Sequence, residues 1–403
     1  LAGLVEERCA MAKLKAGSPA AARFTRLRLE SWKNFKPVDV ELAGRVFVIG
    51  ANASGKSNLL DAFRFLHDLA TEGGGLVKAV ALREGMPKVR SLHATGKSAV
   101  RIGVDAVGTD GRRWAYDLAF DTPHSAGTDV EVTEEVVRCD EKAVLARPDG
   151  ADKSDPERRR QTAVEQVSAN RDFRPLVELF RSVQFMNLVP QLIREGQVSP
   201  GVFPGADPLG RDLLEQVRRA PKGERTKRLR AIGVALKRAV PGFADLRLEV
   251  DGRGRPHLAV GFRHWRKNAA KQLESQFSDG TLRLIAMLWS LQEAAGPLLL
   301  EEPEWSLHTG IIERLGPLIA RMQEEGGGRQ VVVSTHSEKL LGDKGIAAEE
   351  LLLVLPATKG GSEVKAGPRL SVVAKAMKSG LSAAEAAQPL TRLKTMPLFG
   401  IGA

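Results

Sequence analysis

The chain is poor in cysteine. Its 403 residues include two, Cys9 and Cys139, too few for a disulfide framework or a four-cysteine zinc site. A reducing, cytoplasmic compartment is therefore expected. Uninterrupted apolar runs are short, as in Val331 to Val333 and Leu351 to Leu355, whereas roughly 18–20 residues are needed to cross a bilayer. Residues 1–22 have no apolar centre of the kind a secretory leader carries. Sustained heptads and internal repeats are also missing, which excludes a long coiled coil and a solenoid.

What is present supports a folded core. The hydrophobic fraction is 43%, too high for wholesale disorder. At about 150 residues per domain the length suggests two or three domains, or one domain with a large insertion. Lysine and arginine exceed aspartate and glutamate to give a net charge of +11. Such an excess suits a polyanion partner, or else a solvated basic surface.

Periodicity divides the chain. Arg23 to Trp32, Val38 to Leu42 and Val46 to Ile49 read as strands, the last as a central strand apolar on both faces. A helix follows from Ser57 to about Ala70. Val100, Ile102 and Val104, then Trp114, Tyr116, Leu118 and Phe120, alternate around a Thr109–Arg112 turn, so antiparallel sheet is expected there. Residues 151–242 are rich in charge and helix formers and read as an inserted helical lobe, with an amphipathic helix from Arg225 to Val240. Leu246, Leu248 and Val250 face Leu258, Val260 and Phe262 across a second turn. Then come a helix (Leu282 to Leu291), a strand (Leu298 to Leu300), a helix (Ile311 to Met322) and two more strands at Val331 and Leu351. This alternation is that of an α/β sheet. The expected domain organisation is 23–150 and 243–355 for the two parts of a core, 151–242 for the insertion, and 356–403 for a tail with a Lys-Gly-Gly turn and an Ala-rich helix near 381–388.

Gly50-Ala51-Asn52-Ala53-Ser54-Gly55-Lys56-Ser57 fits G-x-x-x-x-G-K-[ST], between a buried strand and a helix. Glycines let successive amides turn toward phosphate oxygens, and the helix N-terminus adds partial positive charge. Lys56 would reach the β- and γ-phosphates of ATP, and Ser57 would ligate Mg²⁺. Glu301 and Glu302 end the strand Leu298 to Leu300, the edge at which α/β sheets bind ligands. Glu301 suits Mg²⁺, through water, and Glu302 suits a base for the attacking water. His336 ends another apolar strand and is read as a γ-phosphate sensor. Ser278 and Gly280, ahead of the Leu282 to Leu291 helix, form either a plain helix cap or a second anion site.

These elements, in this order, resemble the ABC-type ATPases of the RecF/SMC/OLD class, specifically short bacterial AAA-family ATPases without coiled coil or Toprim domain. The resemblance covers 24–75 and 272–345. Gly50 to Ser57 resembles Walker A, with Asn52, Ser54, Gly55 and Asn58 at the nucleotide. Phe277 to Thr281 resembles the signature motif, Leu298 to Glu302 Walker B, Pro303 to His308 the D-loop, and Ser334 to Ser337 the switch-histidine segment. Lys33-Asn34-Phe35 resembles the opening of RecF-like heads. The implied fold is an ABC-type P-loop NTPase head with an antiparallel β lobe and an inserted helical lobe. The implied function is ATP hydrolysis as a nucleotide-dependent dimer switch, with Ser278 and Gly280 of one copy facing the ATP on Lys56 of the other. DNA and a separate nuclease or effector are the implied partners, in DNA repair or anti-phage defence. Walker B departs from many relatives in carrying Glu301 rather than aspartate. No Q-loop stands out; Gln184 or Gln191 is the candidate, Gln184 being taken as a further Mg²⁺ ligand. No aspartate follows Asp343, so no Toprim acidic cluster is expected.

Two rivals stand beside this reading: the nucleotide-binding subunit of a membrane transporter, and a scaffold that binds ATP without turning it over. A polyanion surface is expected between Arg218 and Arg238, continuing through Arg263, Arg266, Lys267 and Lys271. Trp265 is the only tryptophan near it, which favours backbone over base contacts.

Overall fold

The computed structural model describes residues 21–91, 98–122, 129–195, 207–240, 242–262, 271–293, 296–325, 327–358 and 360–391. The chain opens with β1 (Arg23–Glu30), β2 (Val38–Glu41) and β3 (Arg45–Ile49). Strand β1 ends before Trp32, because Ser31 turns through a left-handed φ of 54°. Then come β4 (Val100–Val107), β5 (Arg113–Asp121), β6 (Glu131–Cys139), β7 (Lys142–Arg147), β8 (Gln184–Met186), β9 (Phe243–Val250), β10 (Pro256–Phe262) and β11 (Lys271–Leu273). The last strands are β12 (Leu298–Glu301), β13 (Val331–Thr335), β14 (Leu351–Pro356) and β15 (Ser362–Ala366).

Three sheets result. An antiparallel one runs β2-β1-β4-β5-β6-β7, a small one β11-β10-β9, and the core sheet β15-β14-β3-β13-β12-β8. In the core sheet β14, β3, β13, β12 and β8 are parallel, with β15 antiparallel at the edge. The expected hairpin at 100–120 is thus part of a larger sheet that also takes in β1 and β2. Residues 184–186, placed by sequence in the helical insertion, form an edge strand of the core.

The core sheet is covered on both faces, as its unbroken apolar strands require. Val46, Val48, Leu299, Val332 and Leu352 pack toward the antiparallel sheet. Their neighbours Phe47, Ile49, Leu300, Val333 and Leu353 pack toward the helix Asp279–Leu291 and the C-terminal helices. The helix Lys56–Ala70 lies between the two six-stranded sheets. On it Phe63 meets Phe24 at 5.1 Å between ring centroids, and Phe65 stacks on Phe120 at 5.2 Å. The helix expected from Ile311 to Met322 is two helices, Thr309–Ile312 and Leu315–Glu325.

Candidate active site

The register of the core sheet aligns the ends that matter. Thr335 of β13 pairs with Ile49 of β3, and Glu301 of β12 pairs with Ser334. The segments after β3, β12 and β13 therefore leave the sheet side by side. After β3 the loop Gly50–Ser57 curls through two left-handed residues, Ala53 (φ 61°) and Gly55 (φ 108°). Gly50 is required by close approach: a Cβ there would lie 2.6 Å from Ser54 Oγ and 2.7 Å from the Val354 carbonyl. Ser54 N donates to the Ala51 carbonyl at 3.2 Å. The amides of Asn52, Ala53, Gly55, Lys56 and Ser57 find no acceptor among the described residues. Unpaired amides around the N-terminus of a 15-residue helix fit a phosphate group.

Lys56 is 6% exposed. Its Nζ donates to the Gly50 carbonyl at 3.0 Å and the Ala51 carbonyl at 3.2 Å, and lies 4.0 Å from Glu302 Oε1. Burial pulls its pKa below that of an ordinary lysine, against the pull of Glu302, Glu304 and Glu301. A buried cation held mainly by carbonyls suits an incoming anion. Ser57 Oγ donates to Glu301 Oε1, so a hydroxyl and a carboxylate stand together, the hard oxygen ligands Mg²⁺ takes. Among the described residues no cluster of three or more His, Cys, Asp or Glu could hold a metal unaided. Phosphate and water would complete the shell.

Glu302 is held with a left-handed φ of 43°, and its amide donates to the Ser334 carbonyl at 3.0 Å. Strained non-glycine backbone of this kind persists where surrounding contacts over-determine it. His336 Nδ1 lies 3.1 Å from Glu302 Oε1. The two side chains predicted to act on the γ-phosphate side thus touch.

Several contacts had little or no signal in sequence. Asn34 Nδ2 donates to the Ser54 carbonyl at 2.9 Å, and Ser362 Oγ donates to the same oxygen at 2.6 Å. Asn58 Nδ2 donates to Asn34 Oδ1 at 2.8 Å, bracing the loop. Only the Lys33-Asn34-Phe35 resemblance pointed toward Asn34; nothing pointed toward Ser362. Thr335 Oγ1 donates to Glu304 Oε1 at 2.5 Å and accepts from the Ser337 amide at 3.0 Å. This clamp ties the segment after β12 to the segment after β13. Burial raises the pKa of Glu304.

Ser278 caps the helix Asp279–Leu291, its Oγ accepting from the Thr281 amide at 3.2 Å. A Cβ on Gly280 would lie 2.4 Å from the Ser306 carbonyl, so this glycine lets the loop 303–308 pack against the helix. Among the described residues no hydrogen bond or ion pair joins Ser278 or Gly280 to the phosphate loop.

Gln184 is a correction. It pairs with Leu298 at the start of β12, the sheet edge opposite Glu301. Its amide nitrogen donates to Glu293 Oε2 at 3.1 Å, and its oxygen accepts from Arg329 at 2.8 Å. It is a structural partner of the fully buried Arg329, whose pKa burial lowers to about 10. Gln191 lies nearer the signature segment, donating to Asp279 Oδ2 at 2.9 Å.

A sheet whose strand ends bring a phosphate loop, a carboxylate pair and a histidine to one edge has the arrangement of a P-loop NTPase fold. The family model "AAA domain, putative AbiEii toxin, Type IV TA system" matches residues 45–342, and the chain belongs to that family. Two solved structures share its fold. "Crystal structure of the SmcHead bound to the C-winged helix domain of ScpA" is 17% identical, with a TM-score of 0.52, covering 88% of this chain and 99% of that one. The Smc head domain with an extended coiled coil, bound to the C-terminal domain of ScpA derived from Pyrococcus furiosus, is 14% identical, with a TM-score of 0.51, covering 85% of this chain and 96% of that one. No protein of curated function matches the sequence. No helix among the described residues is long and apolar enough to cross a membrane.

Proposed function

We propose that the chain binds and hydrolyses ATP with Mg²⁺ and works as a nucleotide-dependent dimer. The observation that carries this reading is the contact of Glu302 with His336 beside the buried Lys56. In it, the loop amides and Lys56 hold and neutralise phosphate oxygens, and Ser57 with Glu301 holds Mg²⁺. The ion, when bound, draws charge from the phosphates as the leaving oxygen develops it. Glu302 accepts the proton of the attacking water, and His336 holds the Glu302 carboxylate in place while facing the γ-phosphate. Ser278 and Gly280, without a bond to their own phosphate loop, serve the site of a second copy.

Glu302→Gln tests the reading. It keeps the shape and removes the base, so turnover should fall by about 10²–10⁴-fold while ATP still binds. Turnover at the parental rate would place the base elsewhere.

Association with DNA and with a nuclease or effector, in repair or anti-phage defence, is the finer part of the proposal. It is supported by the net charge of +11. The basic run contributes less to it than its sequence suggests. Arg218 and Arg219 pair with Glu215, and Arg225 donates to the Arg218 carbonyl. Arg228 turns inward to Glu224 and Glu293 and lies 5.1 Å over Trp289. Arg263, Trp265, Arg266 and Lys267 lie outside the described residues, and Lys271 pairs with Glu249.

A further inference from the structure

The helix Lys222–Ala239 and the pair Thr309–Ile312 and Leu315–Glu325 enclose a cavity of about 680 Å³. No role assigned above uses it. Its apolar surface comes from Val234, Ile311, Leu318 and Met322, and its rim carries Lys227, Arg230, Arg314 and Arg321. Val234 is 43% exposed and shares this surface with the partly exposed Ile311 and Leu318, so the apolar area is a patch rather than a lone side chain. Arg321 pairs with Glu325 at 2.8 Å. The side chains of Lys227, Arg230 and Arg314 have no hydrogen bond or ion pair among the described residues. Apolar floor and unpaired cationic rim together select a ligand that is apolar on one side and anionic at its borders.

The dimensions choose between a small amphiphile and a polypeptide. The lining runs from Lys227 to Ala235 on one wall and from Arg314 to Glu325 on the other. At 1.5 Å per residue those walls are about 12–16 Å long. The cations are spread along both, so one anionic headgroup cannot meet them. A helix of two to three turns, with apolar side chains inward and carboxylates on each flank, meets all of them at once. We propose that this groove docks an acidic amphipathic helix of a partner protein. His308 is in its wall, at the end of the loop that starts at Glu302, so the docked helix would lie against the segment that holds the catalytic carboxylate.

The test uses a fluorescein-labelled synthetic helix of about sixteen residues, leucine on one face and glutamate on both flanks. Fluorescence anisotropy should show saturable binding to the full chain. Lys227→Glu with Arg230→Glu, or Val234→Glu alone, should weaken it by about tenfold or more. These positions are exposed, so unchanged melting temperatures check that the variants fold. Glutamine in place of the peptide's glutamates should weaken binding similarly, as should a scrambled order that breaks the apolar face. Absence of saturable binding up to about 1 mM peptide overturns the proposal. So does equal binding by the variants or by the scrambled peptide. Displacement of the peptide by duplex DNA would assign the rim to nucleic acid instead. Self-association of the free chain that Val234→Glu abolishes would assign the groove to a second copy.

Discussion

At the scale of single residues, the site depends on charges placed where water is scarce. Lys56 is buried among backbone carbonyls and near three carboxylates. Lys56→Ala removes the one flexible cation of the phosphate loop, so ATP affinity measured by calorimetry should collapse, and turnover with it. The fold should remain, because no helix or strand depends on that ammonium. Asp152 illustrates a charge that serves stability. Its carboxylate takes both forks of Arg147, at 3.0 and 2.8 Å, and its pKa is lowered to about 2. An aspartate whose folded pKa lies below its unfolded value stabilises the fold above the unfolded value and loses that contribution as pH falls to the folded one. Asp152→Asn should therefore cost roughly 2 kcal/mol at neutral pH. The gap between parent and variant in urea unfolding should close between about pH 4 and pH 2. Glu135, which shares Arg147, is shifted the opposite way by burial. The difference between the two proteins, rather than the acid lability of either, isolates Asp152. A gap independent of pH would show that the loss is one of packing.

At the scale of elements, the signature helix and the loop 303–308 must approach closely. Gly280 sits where a methyl group would press on the Ser306 carbonyl at 2.4 Å. Gly280→Ala should displace that loop at a cost of about 1–3 kcal/mol. Because the loop begins at Glu302, turnover should fall while ATP binding persists. Lowered stability with unchanged turnover would mean that the loop shifts without reaching Glu302. The helix Lys222–Ala239 carries the opposite lesson. Its sequence is a dense run of cations, yet Arg228 is directed into the protein against Trp289 and Glu293. The fold divides one basic run into structural arginines and a free rim, and Arg228→Ala should destabilise the chain with little effect on any polyanion it binds.

At the scale of the whole molecule, the phosphate loop and the signature segment of one chain make no bond with each other among the described residues. The dimer reading turns this into a complementation test. Ser278→Arg should leave ATP binding nearly normal and stop hydrolysis, and Lys56→Ala should lose both. Mixing the two makes heterodimers with one intact composite site, so some ATPase activity should return. Heterodimers that form and stay inactive would argue against sites shared between copies.

The phosphate loop, the carboxylate pair and the histidine were legible in sequence because each lies at the end of a strand built on a short apolar run, Val46 to Ile49, Leu298 to Leu300 and Val331 to Val333. Such strands can only lie inside a sheet covered on both faces, and their ends mark its ligand edge. Local chemistry and local period sufficed for that. The contact of His336 with Glu302, the bracing of Ser54 by Asn34 and Ser362, and the clamp of Glu304 on Thr335 join segments up to 308 residues apart. They depend on strand order and register, which no local pattern encodes. The same reason removed Gln184 from the site: its identity was right for a metal ligand, and the direction of β8 placed it at the other end of the sheet. Which cations of a basic run face solvent was likewise a matter of what packs beneath them, and only the tertiary structure decides that.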